Sequence, residues 1–210
     1  YILKYIFNLN KWYFILLMIF IMTLVAGYNA VKRQKIVIPK LYPLITIAIF
    51  FGAATSMVTL IFLILKVSPW YEPQYLIPIS GMMLGNSMNS AALAVDRLVG
   101  ETKSRHFEIE AALSLGASPF KSINPMLQEA ARAAMMPTIN SMMIVGIVQL
   151  PGLMTGQIIG GVAPEQSVRY QVTIMYMLAA SVTISCITIL YLLYRRLFTE
   201  EEQLRTEFFD

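Results

Sequence analysis

Charge is scarce in this chain. Asp, Glu, Lys and Arg make up 13% of its 210 residues, while hydrophobic residues make up 57%; an ordinary soluble domain carries about 25% charged residues. A mean hydropathy of +0.64 agrees with that shortfall, and both describe a chain whose solvent is mostly lipid. Cysteine is nearly absent. Cys186 stands alone inside an apolar run, so no disulfide can form within the chain, and it reads as a small packing residue. Histidine is nearly absent too, with His106 alone in a polar segment. There is no H-E-x-x-H, no G-x-S-x-G and no G-x-x-x-x-G-K-[ST]. These absences remove the usual zinc hydrolase, serine hydrolase and nucleotide-binding chemistries. With no carboxylate deep in an apolar run, an intramembrane hydrolase lacks a base. The net charge of +4 is small and better read by location than as a nucleic-acid signal.

What the chain does have is long apolar runs without strand alternation, which in lipid means helices. A spanning helix needs about 20 mainly apolar residues. Five stretches qualify: residues 12–28, 41–65, 75–95, 137–162 and 170–194. The expected fold is therefore an all-α polytopic helical bundle with at least five transmembrane helices, built as one membrane domain over residues 1–210. Tyr1-Ile2-Leu3-Lys4-Tyr5-Ile6-Phe7 reads as the tail of an earlier helix, so further spans are expected before it. Trp70 and Tyr71 in the 66–74 connection suit the headgroup level.

Lys and Arg set the orientation. Twelve of the sixteen fall on one side: Lys32, Arg33, Lys35 and Lys40; Arg97, Lys103, Arg105, Lys121 and Arg132; and Arg195, Arg196 and Arg205. Lys4, Lys11, Lys66 and Arg169 fall on the other. The first side is expected to be cytoplasmic, including the long middle segment and the C-terminus. Asp96 and Arg97 are expected to pair, or to bind backbone, at that boundary.

The middle segment, residues 97–136, carries the most informative motif. Phe107, Ile109, Ala111, Ala112 and Leu115 pattern a short helix over residues 105–115, with Glu108 and Glu110 on other faces. Gly116 can end it in the left-handed conformation, and Pro119 prevents its continuation. A second helix over 119–136 is expected to lead into the fourth span. Glu110-Ala111-Ala112 followed by Gly116 resembles the E-A-A-x-x-x-G docking loop of ABC-transporter permeases. Common importers place I-x-L-P later in that loop, where this chain reads Met126-Leu127-Gln128-Glu129.

The wider pattern points to a different branch. Ala26-Gly27-Tyr28, Asp96-Arg97-Leu98, Glu108-Ile109-Glu110-Ala111-Ala112-Leu113 and Leu115-Gly116-Ala117 occur in order. They are followed by Pro137-Thr138-Ile139-Asn140-Ser141-Met142-Met143, the run from Leu150-Pro151-Gly152 to Gln157-Ile158, and Arg169-Tyr170-Gln171. Together these resemble the bacterial iron-export ABC permease family, which has plant aluminium-tolerance relatives. The resemblance is densest from Gly85 to Gln171. It implies a permease in the bacterial cytoplasmic membrane that pairs with a separate ATPase, two copies of each. ATP and Mg would then sit on that partner, with no cofactor in this chain. It implies about seven spans in a complete chain, and iron or another metal ion as the exported cargo. Carried onto this sequence, the ATPase-docking residues are Glu108, Glu110, Ala111, Ala112 and Gly116.

Polar side chains within spans are costly in lipid and face a partner helix or a cavity. Asn86, Asn89, Asn140, Ser141, Gln149 and Gln157 are the candidates for a translocation path, the alternative being interhelical hydrogen bonding. Pro151 removes a backbone hydrogen bond and is expected to kink the fourth span. Gly146, Gly152 and Gly156 would permit close approach there, at a pore or at a seam between two copies. Met82, Met83, Met88, Met142, Met143 and Met154 are soft thioethers suited to copper(I), but methionine is more often a flexible packing residue. No dedicated metal cage is expected. Two other functions stay open: ATP-coupled transport of a small organic or chelated substrate, and an ATP-independent channel. The channel would leave the docking helix without a purpose.

Overall fold

The computed structural model describes residues 11–34, 38–66, 69–199 and 201–205. The Tyr1–Phe7 helix tail expected above, with Lys4 and Lys35, lies outside them. Within them the chain is all-helical, with two isolated bridges and no strand. Seven α-helices follow in order: α1 Trp12–Lys32, α2 Leu41–Val58, α3 Pro73–Ser104, α4 His106–Ser114, α5 Pro119–Ile144, α6 Gly152–Ile159 and α7 Pro164–Leu197. A π-helical stretch, Thr59–Leu65, prolongs α2.

Helices α3 and α7 are the axis of the bundle. α3 packs on α1, α2, α5 and α7, and α7 packs on α2, α3, α5 and α6. The two run in parallel. Ser87 meets Ser181 through a buried hydroxyl pair at 2.8 Å, and α1 runs alongside with Arg33 reaching Asn89. α2 is antiparallel to them, and so is α5, whose first turn lays Phe120 edge-on against Tyr194 at 5.6 Å. The C-terminal ends of α1, α3 and α7 therefore share one end of the bundle with the starts of α2 and α5.

Small residues allow this packing. A Cβ at Gly52 would overlap the Ser181 carbonyl and the Ser185 hydroxyl, and one at Gly27 would overlap the Thr46 side chain. Among lipid tails there is no hydrophobic drive to bring helices together, so close backbone approach and interhelical polar contacts carry the association. Gly52 with Ser56, and Ser181 with Ser185, are small residues four apart on the facing helices. Large side chains pack around that seam, among them Ile45, Ile49, Leu60, Met83 and Ile189. Those turned outward from α1, α2 and its π-helical extension include Phe20, Val25, Phe51 and Leu63, as expected when the outer solvent is apolar.

One expectation is met in part and another changes. Among the described residues three helices are long and apolar enough to cross a membrane: α1, α2 with its π-helical extension, and α7. α3 and α5 are longer than α1, at 32 and 26 residues. Their apolar character is diluted, by Asn86 and Asn89 in α3 and by Lys121, Glu129 and Arg132 in α5. The fourth expected span, residues 137–162, is not one helix. α5 starts at Pro119 and runs without interruption through Pro125 and Pro137 to Ile144. The chain then turns at Gly146, with φ +81°, and resumes as the eight-residue α6. Gly146 favours the left-handed turn. Pro151 has no N–H to continue the ladder and instead stands immediately before α6, where its fixed φ suits a helix start.

Candidate functional site

The short helix expected over residues 105–115 is present as α4, separated from α3 by Arg105 alone. Arg105 donates to the Glu108 carboxylate from Nη2 at 2.6 Å and from Nε at 3.0 Å. That hydrogen bond holds Glu108 below the usual carboxylate range and raises Arg105. Both groups are solvated, so the pair orders the first turn more than it stabilises the fold. Glu108 also lies in the first turn, where a negative charge suits the helix dipole.

One side chain anchors α4: Ile109 is fully buried, the single buried residue of the helix. The helix ends in a Schellman motif. Gly116, at φ +84°, donates its N–H to the Leu113 carbonyl at 2.9 Å, and Ala117 donates to Ala112 at 3.0 Å. This geometry turns the remaining surface outward. Glu110 and Ala111 are exposed and Ala112 is half-buried. Phe107 is 73% and Leu115 89% exposed. Both point away from the bundle. With one buried anchor, nine residues cannot bury a full stripe.

The C-terminal tail forms the opposite wall of a cleft beside this helix. Phe198 bridges to Leu204, and Arg205 donates its N–H to the Leu197 carbonyl at 2.9 Å. That hook places Glu201, Glu202 and Leu204 across from Glu110, Leu113 and Gly116, around a space of about 720 Å³. The tail is hydrophilic and acidic, and nothing in its sequence pattern foretells the hook.

Among the described residues no hydrogen bond joins two of the six path candidates. Asn86 is exposed and donates to its own helix at Met82, 2.8 Å away. Asn89 accepts a hydrogen bond from Arg33 at 2.7 Å. It lines a cavity of about 490 Å³ with Arg33, Gln34, Asp96 and Pro137. Arg97 pairs with Glu101 at 2.9 Å, not with Asp96. Asn140, Ser141 and Gln149 are exposed near the α5–α6 break. Gln157 has a buried amide oxygen without a hydrogen-bond partner, and so has Gln171 of α7. Sequence reasoning did not single out Gln171 as a site residue, although an amide inside an apolar run was the signal. Gly152 and Gly156 have no neighbour within 4 Å of a built Cβ, so they support no close approach within the chain. Among the described residues no group of three or more His, Cys, Asp or Glu side chains could hold a metal ion.

Comparison with known proteins places these features in a family. The model of an uncharacterised protein family, UPF0014, matches residues 1–198. The UPF0014 membrane protein slr1647 of Synechocystis is 37% identical over 97% of this chain and 79% of its own length. The probable iron export permease protein FetB of Escherichia coli is 37% identical over 97% of this chain and 77% of its own. Protein ALUMINUM SENSITIVE 3 of Arabidopsis thaliana is 34% identical over the whole of this chain and 75% of its own. No solved structure matches.

Proposed function

This chain belongs to the UPF0014 family of membrane proteins, and on that premise we propose that it is the permease subunit of an ABC exporter. The cargo is a metal ion, iron first, and a separate ATPase subunit supplies the energy. The observation that carries the reading is α4. It is a short, stiff helix tied to the bundle by Ile109 and by its direct junction to α3, with Phe107, Glu110 and Leu115 turned outward. A helix held in this way transmits displacement between a partner and the bundle axis. The name of the Escherichia coli relative adds iron export.

In this reading α3 and α5 cross the membrane with the three apolar helices. The end of the bundle carrying α4 and the C-terminal hook faces the cytoplasm of a bacterial cell. Two copies meet along α5 and α6. Non-helical backbone at membrane depth survives only where protein or a water-filled cavity covers it. The exposed turn at 145–150, with Asn140, Ser141 and Gln149 nearby, meets that condition against a second copy. ATP-driven closure of two ATPase subunits moves both α4 helices and rocks the spans around the seam.

The test is ATPase activity of the reconstituted full-length permease with its ATPase, with iron(II) and other metals supplied inside and outside proteoliposomes. Selective stimulation by iron(II), lost on Glu110→Lys, is expected. Activity that ignores every metal but still depends on Glu110 would remove the metal cargo and favour a small organic or chelated one. Transport without any ATPase would favour a channel.

A further inference from the structure

We infer that α3 carries a cation-binding site of oxygen donors, held shut by two tethered side chains of α1's C-terminal end. Asn89, Ala92 and Asp96 lie at i, i+3 and i+7 on α3 and therefore share one helical face. All three line the same cavity, closed on one side by Pro137 of α5. Two of their oxygens are already occupied. The Arg33 guanidinium donates to Asn89 Oδ1 at 2.7 Å, and the Gln34 amide donates to the Ala92 carbonyl at 3.1 Å.

The occupant is itself a clue to what the site accepts. Asn89 Oδ1 is an acceptor that binds a cation now, and the cation is a side chain of the same protein. The Asp96 carboxylate lies in the same cavity, exposed, and its neighbour Arg97 is paired with Glu101 instead. When Arg33 and Gln34 swing away, an amide oxygen, a carboxylate and a carbonyl are left facing one space. Such a set suits a hard or borderline divalent cation that keeps most of its water. One carboxylate and neutral oxygens give weak, reversible binding, as a station on a path requires. Arg33 acts as a plug that any bound cation must displace, so the site and the plug exclude one another.

The physiological meaning of the site, an entrance for the cargo, rests on the permease reading; the test does not. It uses the full-length protein in nanodiscs, without ATPase, titrated with Mn(II) alone and followed by loss of the free-ion EPR signal. Apparent affinity falls with the fraction of molecules whose site is open. If the clasp is closed nine-tenths of the time, Arg33→Ala tightens binding about tenfold. Arg33→Lys keeps a cation in place and stays close to wild type. Arg33→Ala combined with Asn89→Leu or with Asp96→Asn loses the gain.

Binding no tighter in Arg33→Ala than in wild type overturns the plug. A gain that survives both double variants overturns the site. A measurement on the unaltered protein guards against variants that fail to fold. Saturating Mn(II) should speed hydrogen exchange at Arg33 and Gln34 as the clasp opens, and unchanged exchange overturns the inference. Failure here leaves ATPase docking through α4 untouched, while loss of docking leaves Mn(II) binding in place.

Discussion

At Gly116 the backbone takes φ +84°, and a Cβ there would meet nothing within 4 Å. At Gly52 the backbone is ordinary helix, and a Cβ would overlap the Ser181 carbonyl and the Ser185 hydroxyl. One glycine is needed for conformational freedom and the other for space. Gly116→Ala should cost about 1–2 kcal/mol, the left-handed penalty, confined to α4. Hydrogen exchange would read it as faster exchange at Ala117 and the last turn of α4, with unchanged thermal unfolding of the bundle. Gly52→Ala should cost about 1–3 kcal/mol by overpacking, spread over the α2–α7 seam and read as a lower melting temperature. The sequence made Gly116 legible, because a glycine followed by Pro119 is a helix stop. Gly52 was not legible, since the need for it lies on α7, 129 residues and more away.

Among the elements, α4 is held to the bundle by little packing. Ile109 alone is buried, so Ile109→Ala removes its whole anchor. The expected cost is about 2–5 kcal/mol, charged to the docking of α4 on the bundle. Exchange protection over His106–Ser114 should collapse while α3 and α7 stay protected. Protection retained in α4 would mean that its junction with α3 suffices. The bounds of α4 were readable within a residue at either end from Phe107, Ile109, Gly116 and Pro119. The α5–α6 break was only half readable. Pro151 advertised a kink, but the chain turns five residues earlier, at Gly146, and Pro151 serves as the start of α6. A glycine inside an apolar run reads equally as a packing residue or as a turn, and only the surrounding structure decides which. Asn89 was legible as a polar residue inside a span, but its partner Arg33, which stands 56 residues earlier, was not.

For the whole molecule, the all-helical class followed from composition and run length, because low charge and uninterrupted apolar stretches leave few alternatives in lipid. The number of crossings did not follow as firmly. α3 and α5 mix long helices with amides and charges, the composition of spans that face protein or water rather than hydrocarbon. Their polar faces gain a purpose if two copies enclose them. The central claim is that this chain is driven by a separate ATPase acting on α4. Its most direct test is the binding of that ATPase subunit to the full-length protein in nanodiscs, compared for the unaltered chain, Glu110→Lys and Gly116→Pro. Docking through α4 predicts tight binding of the unaltered chain, weakened at least about tenfold by each substitution, a loss on the order of 1.4 kcal/mol or more. Equal binding by all three proteins, or no binding by the unaltered chain, would contradict it.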